Sequence, residues 1–473
     1  MEMWLKDTAN FLWGPPALTL LGLVGVYFAI RTGFFQFRKF GHIMRNTAGE
    51  IFTRTNQTGG DGTLTPLQAV STALAGCVGT GNIAGVATAI FIGGPGAVFW
   101  MWVIALLGML TKCVEVTLAQ FYRIRGEDGI YYGGPMFYIE RGMGRGWKPL
   151  ALFFAFCIII GGLGTAAFVQ PYAISSALDN AFGIDRKITI IVAEAVCALV
   201  LIGGVKGIGR FCERLTPIMC LLYIIGALGV LAVNFQNIPS AIKAIFTYAF
   251  TPYGAVGGMA GSTLSLTLRQ GAARGTFSNE AGCGTSAITH ATAMTPHPMK
   301  EGLYGCFEVF IDTIIVCSAT ALAILSSSPE IWQGGMKDVE LTMAAFSQVY
   351  GYSGSILVTV GITLFAFSTM VGWEINYESA FFYIFPKKTR LMKFFMRVFW
   401  LIPGFLSLGH TPELVWTVVD ISSGLWCIPN SIAMLALGGV FMKIYDDYNK
   451  KYILKTRSLD EIITPESIEA LKG

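Results

Sequence analysis

Two short runs in this chain place glycine and polar residues inside otherwise apolar surroundings. The first, at 76–82, reads Gly-Cys-Val-Gly-Thr-Gly-Asn; the second, at 270–284, reads Gln-Gly-Ala-Ala-Arg-Gly-Thr-Phe-Ser-Asn-Glu-Ala-Gly-Cys-Gly. Glycine permits non-helical dihedrals and close approach of a ligand. A helix broken at mid-membrane frees backbone groups, which is tolerated only where they line a cavity or are buried in protein. At the first run, a half-helix beginning near Gly81 turns free N–H groups and its positive end toward the break, which suits a carboxylate. The half-helix ending near residues 75–77 turns carbonyls to the same place, which suits a sodium ion or an ammonium group. A small zwitterion and a cation therefore fit there without a fixed charged side chain. The alternative is that these glycines only let neighbouring helices pack closely. Two such runs at matching positions favour paired breaks, the pattern of a binding site between repeats.

Other chemistry is excluded by what the residue types do not form. The ten cysteines are scattered without a CxxC pair, and His42, His290, His297 and His410 have no zinc spacing. No nucleophile–base set or cluster of metal ligands is visible, so the chain does not read as an enzyme. Acids within or near apolar runs, Glu115, Glu280, Glu308, Asp312, Glu374, Glu378 and Asp420, are costly in lipid and are functional candidates. Lys112, Arg269 and Arg274 offer them partners. Glu280, inside the second run, is the acid expected nearest the site, with a structural role preferred over ligand contact.

The elements that must hold these residues are membrane helices. Apolar residues make up 53% of 473 positions and charged residues 13%, against about 25% charged in soluble domains. Apolar runs near 14–31, 67–91, 96–122, 150–177, 187–204, 212–233, 255–289, 302–327, 353–384, 392–409 and 413–442 predict about eleven spans of an all-α polytopic membrane protein. The N-terminus, with Glu2, Lys6 and Asp7, lacks a signal-peptide pattern, so the first run reads as a retained span. Basic residues cluster on alternate connections: Arg31, Arg38, Lys39, Arg45 and Arg54; Arg123, Arg125, Arg141, Arg145 and Lys148; Lys206, Arg210 and Arg214; Lys387, Lys388 and Arg390. With eleven spans these share one side, together with the tail, which predicts the N-terminus outside and the C-terminus in the cytoplasm. Residues 1–66 then form a peripheral helix and connection, 67–442 a core, and 443–473 a cytoplasmic tail. The two glycine runs open the second and seventh spans, five apart. The core accordingly divides into five-helix halves at about 67–233 and 255–442.

Three blocks resemble a known family. Gly93-Gly-Pro-Gly-Ala-Val-Phe-Trp-Met-Trp102 is similar to the signature of the alanine/glycine:cation symporters, and 79–87 and 274–282 resemble its recurrent blocks. Gly79-Thr-Gly-Asn82 also resembles the break in the first core helix of sodium-coupled neurotransmitter transporters. The resemblance implies sodium-coupled uptake of alanine or glycine through the plasma membrane, on a leucine-transporter-type fold. That fold has one peripheral helix, a five-plus-five inverted-repeat core and two discontinuous helices. It implies a sodium site joining carbonyls of Ala75 and Val78 to Phe365, Ser368 and Thr369 of the ninth span. Substrate would meet Gly79, Thr80, Gly81, Asn82, Phe277, Ser278, Asn279 and Thr369. Gln170 either hydrogen-bonds substrate or bridges helices. Trp373, four residues after Thr369 and on the same face, either closes the pocket over a small side chain or simply packs. The implied partners are alanine or glycine, sodium and the lipid bilayer; neither nucleic acid nor a cofactor is expected. The rival readings are a proton-coupled or other small-solute transporter, a nutrient sensor and a channel.

Overall fold

The computed structural model describes residues 2–53, 62–253, 263–386, 390–409, 412–459 and 463–469. The start of the 255–289 run, Arg54, Lys387, Lys388 and His410 lie outside the described residues. Within them the chain is helical almost throughout. The one sheet among the described residues is an antiparallel pair, Ile124–Arg125 with Tyr131–Tyr132. Helix satisfies its own backbone polar groups, which is what a chain of this hydropathy requires in lipid.

Among the described residues five helices are long and apolar enough to cross a membrane: Ala97–Phe121, Arg145–Phe182, Gly204–Val233, Pro298–Ser326 and Tyr352–Ile384. A sixth is the pair Ser423–Ala436 and Gly438–Ile453 if its 63° bend is counted within one span. The other apolar runs fall on helices that are short or interrupted. Pro15–Arg31, Arg186–Ile202 and Arg390–Leu406 have 17 residues each. The second run is divided into Pro66–Cys77 and Ala84–Gly93, and the seventh into Leu264–Asn279 and Thr285–His290.

The divided helices begin firmly. Thr65 and Gln68 form a reciprocal capping box at 3.2 Å each way, with Pro66 at the first helical position. Thr263 caps Leu264–Asn279 by accepting from the Leu266 amide. Both divided helices pack beside Ala97–Phe121, which also runs closely along Pro298–Val309. At Gly302 a Cβ would stand 2.2 Å from Thr117 Oγ1, so the contact between those helices depends on a missing side chain. Exposed Leu199, Ile202, Leu221, Ile225, Phe394 and Phe399 lie on the outer helices, as expected of surfaces that meet lipid.

Two irregularities were not expected. The fourth run is interrupted at 166–168, between Lys148–Thr165 and Val169–Phe182. The eighth run contains a π-helical stretch, Phe310–Cys317, between Pro298–Val309 and Ser318–Ser326. Such stretches often mark functional places because they re-aim side chains.

Candidate functional site

The first break leaves Val78 and Gly79 non-helical, passes through a 3-10 turn at Thr80–Asn82, and resumes as helix at Ala84. Asn82 holds it: its Oδ1 accepts from the Gly79 amide at 3.0 Å, and its Nδ2 donates to Asp312 Oδ1 at 2.7 Å. The second break spans Glu280–Gly284, where Glu280, Gly282 and Gly284 all have positive φ. Ser278 donates to Asp312 Oδ2 at 2.7 Å, and Asn279 donates to Thr313 Oγ1 at 3.0 Å. Asp312, presented by the π-helical stretch, thus ties together the edges of both breaks.

Between the breaks lies a small cavity lined by Gly76, Cys77, Gly79, Thr80, Gly81, Thr165, Gln170, Phe277, Glu280, Thr369 and Trp373. Its volume is about 20 Å³, room for roughly one water molecule. Seven residues expected at the substrate line it: Gly79, Thr80, Gly81, Gln170, Phe277, Thr369 and Trp373. Asn82, Ser278 and Asn279 do not; their side chains are taken up by Asp312 and Thr313. Gly76, Cys77 and Thr165 join the lining without being expected substrate contacts, and Glu280, the acid expected near the site, lines it too. Gln170 Nε2 donates to the Thr165 carbonyl at 3.0 Å, a bond that spans the interruption at 166–168. Gln170 Oε1 and Thr80 Oγ1 are buried with no hydrogen-bond partner among the described residues. Buried polar atoms are rarely left so unless a ligand or water completes them.

Aromatic rings close this space because glycines let them come near the backbone. A Cβ on Gly81 would meet the Phe277 ring at 3.1 Å, and one on Gly76 would meet Trp373 Cδ1 at 3.4 Å. On its other side Phe277 packs with Phe168, Val169 and Tyr172. Beyond them a larger open cavity of about 610 Å³ is lined by Thr80, Ala84, Val169, Tyr172 and the Asp338–Tyr350 helix. Thr80 borders both spaces.

Four of the five expected cation ligands, Ala75, Phe365, Ser368 and Thr369, meet; no contact brings the Val78 carbonyl to them among the described residues. Ser368 Oγ lies 3.2 Å from the Ala75 carbonyl and 2.8 Å from the Phe365 carbonyl. Thr369 Oγ1 lies 3.0 Å from each of the same two oxygens. These two carbonyls and two hydroxyls form a buried group of hard oxygens with no formal charge. The hydroxyls satisfy carbonyls of their own helix, yet also reach across to the broken one. Val78 is buried in the turn that follows, its amide bonded to the Leu74 carbonyl. Gly79 comes so close that a Cβ would lie 2.7 Å from Thr369 Oγ1.

Behind the cavity the charges are paired. Lys112 Nζ meets Glu308 Oε1 at 2.8 Å and Cys77 Sγ at 3.3 Å, and donates to the Asn279 carbonyl. His290 stands between Glu301 at 2.7 Å and Glu308 at 3.2 Å. Burial of such charges is tolerable only with partners of this kind. Among the described residues no group of three His, Cys, Asp or Glu could hold a metal ion.

Comparison with known proteins gives the setting of this geometry. The chain matches the profile of the sodium:alanine symporter family over residues 1–461. It is 38% identical to an uncharacterized transporter of Haemophilus influenzae, covering 98% of this chain and 99% of that one. It is 36% identical to the sodium/alanine symporter AgcS of Methanococcus maripaludis, covering 94% and 97% respectively. Among solved structures it shares its fold with a Na+-coupled sialic acid symporter in a substrate-bound outward-open state. The TM-score is 0.52 at 14% identity, covering 94% of this chain and 92% of that one.

Proposed function

The chain belongs to the sodium:alanine symporter family, and on that premise we propose that it is a sodium-coupled secondary symporter importing alanine or glycine by alternating access. The observation that carries this reading is the adjacency of two sites through one residue. Thr369 lines the small cavity and also contributes an oxygen to the Ala75–Phe365–Ser368 group. Sodium held by Ala75, Val78, Phe365, Ser368 and Thr369 would fix the first break in the shape that substrate requires. The amides near Gly79, Thr80 and Gly81 would take the carboxylate, with the Thr80 hydroxyl beside them. Gln170 Oε1 would accept from the ammonium group. Phe277 and Trp373 would enclose a side chain no larger than a methyl group. Asn82, Ser278 and Asn279 are reassigned from substrate contact to holding the breaks through Asp312 and Thr313.

In this reading the core is two inverted five-helix halves, 67–233 and 255–442, beside a peripheral first helix. The N-terminus is outside and the C-terminus cytoplasmic. The open cavity above Phe277 is then the outward approach to the site. Ligands drive the cycle only through unequal affinity for the outward and inward states. The test is uptake of radiolabelled alanine into proteoliposomes under an imposed sodium gradient. Accumulation that collapses when sodium is replaced by potassium supports the proposal. Equal accumulation driven by a proton gradient without sodium would replace it with proton coupling.

A further inference from the structure

Glu280 is the one charged side chain lining the cavity, and its carboxylate reaches the cavity wall rather than a cation. Its Oε1 accepts from Trp373 Nε1 at 2.9 Å. Its other oxygen accepts from the Thr285 hydroxyl, at the start of the half-helix beyond the second break. Glu280 itself caps Leu264–Asn279 with φ of 53°, a left-handed conformation uncommon for a residue other than glycine, asparagine or aspartate. An uncommon backbone conformation is here combined with a buried carboxylate, one oxygen of which meets Thr285 and, at 3.7 Å, Cys77 Sγ, while the other is given to the indole.

That indole needs fixing. Trp373 sits at the junction of Tyr352–Gly372 and Glu374–Ile384. Its pyrrole edge faces Gly76, where a Cβ would be 3.4 Å away, and its benzo edge faces Gly162, also at 3.4 Å. Trp426 lies beside it with ring centroids 5.5 Å apart. Two of its neighbours are therefore glycines, which offer no side chain to hold a ring in place. The directional contact among those described is the one to Glu280.

We propose that Glu280 is a specificity-determining positioning residue. By accepting from Trp373 Nε1 it holds the indole across the side-chain end of the cavity and so excludes amino acids larger than alanine. This rests on the reading of the cavity as the substrate site. Glu280 acts through the indole, so the relevant property is its acceptor oxygen and not its charge.

The test measures inhibition of labelled alanine uptake by valine, expressed as the ratio of valine to alanine inhibition constants, in proteoliposomes at fixed sodium. Glu280→Ala should lower the ratio about tenfold or more, the scale on which apolar pockets discriminate a methylene. Glu280→Gln, whose amide oxygen still accepts from Nε1, should keep the wild-type ratio. In a Trp373→Phe background, which has a ring but no N–H, Glu280→Ala should change the ratio no further. Should a variant be transport-dead, the same ratio is read from stabilisation of the purified protein by alanine and by valine. An unchanged ratio in Glu280→Ala overturns the proposal. So does a Gln variant as permissive as the Ala variant, or loss of stabilisation by both amino acids. Trp373→Ala separates the two levels of argument. If it relaxes selection while Glu280→Ala does not, only this inference falls; if it leaves selection unchanged, the cavity reading falls with it.

Discussion

Two glycines, two residues apart, should fail in different ways when given a methyl group. At Gly79 the φ of −134° is negative, so alanine brings no left-handed strain. The new Cβ would stand 2.7 Å from Thr369 Oγ1, far inside normal contact. The threonine must turn away, and its hydroxyl then loses the Ala75 and Phe365 carbonyls, each at 3.0 Å. A net hydrogen bond contributes about 0.5–1.5 kcal/mol. Loss of one hydroxyl from the ion's ligand set therefore costs the sodium-bound state about 1–2 kcal/mol. Since 1.4 kcal/mol is about a factor of ten, Gly79→Ala should raise half-saturating sodium about tenfold. At Gly81 the added Cβ instead meets the Phe277 ring at 3.1 Å and the Ser278 Cα at 3.3 Å, with Thr369 not among its nearest neighbours. Gly81→Ala should weaken alanine and leave the sodium requirement near wild type. The assay is the initial rate of labelled alanine uptake against external sodium at saturating alanine, then against alanine at saturating sodium. Equal sodium shifts in the two variants would refute the separation of ion and substrate sites.

Removing both hydroxyls, as Ser368→Ala with Thr369→Ala, should abolish sodium-stimulated uptake in a folded protein; normal sodium dependence in the double variant would dismiss this ion site. Gly81→Leu should abolish alanine binding measured by calorimetry, whereas Gly22→Leu should not, because a Cβ at Gly22 meets nothing within 4 Å; equal binding by the two would discard the break as the substrate site. In the part of Gly438–Ile453 that follows residue 442, where the apolar run ends and the tail begins, Asp447 accepts from His297 at 3.1 Å, Lys451 at 2.9 Å and Arg457 at 2.6 Å. Burial pushes its carboxyl up, but these contacts outweigh burial and hold it at about 2. A folded-state value below the ordinary one of about 3.9 means stabilisation that is complete above about pH 4 and lost as pH falls toward about 2. Asp447→Asn should therefore lower the unfolding midpoint near neutrality, with the gap to wild type closing below about pH 4; a gap that stays constant through that window would refute the pairing.

Both breaks were legible because glycine and polar residues interrupt runs that otherwise follow the composition of membrane helices. The grouping of the proposed cation oxygens was legible for a related reason: Ser368 and Thr369 are adjacent hydroxyls in an apolar span, and the family resemblance supplied Ala75 and Phe365, whose carbonyls they do meet. What sequence could not supply was the far side of each contact. Glu280 was noticed as an acid, but its partner Trp373 is 93 residues away. Cys77 and Thr165 look like ordinary small residues of apolar helices until the cavity is seen between them. The interruption at 166–168 that separates Thr165 from Gln170 has its one sequence signal in Pro171, which cannot donate to the carbonyl four residues earlier, at 167.

The three residues that do not line the cavity share one cause. Asn82 and Ser278 both bond Asp312, and Asn279 bonds its neighbour Thr313. Asp312 and Thr313 lie in the π-helical stretch Phe310–Cys317, and residue types do not reveal a π segment. One signal was nevertheless present. Asn82 lies three residues after Gly79 and accepts from its amide, the local side-chain-to-backbone pattern that asparagine uses wherever a helix begins or breaks. Read that way, Asn82 belongs to the mechanics of the break and not to the ligand. Asp312 bonds to the flanks of both breaks, and it shares that place with Cys317, whose sulfur lies 3.3 Å from Asn82 Nδ2 and 3.1 Å from Ser278 Oγ, and with Lys112, which reaches Cys77 Sγ and the Asn279 carbonyl. In the proposed reading substrate and sodium act on the two broken helices from within the cavity, while Asp312, Cys317 and Lys112 join those helices from behind it. A change of shape at either break would then load this shared set of contacts.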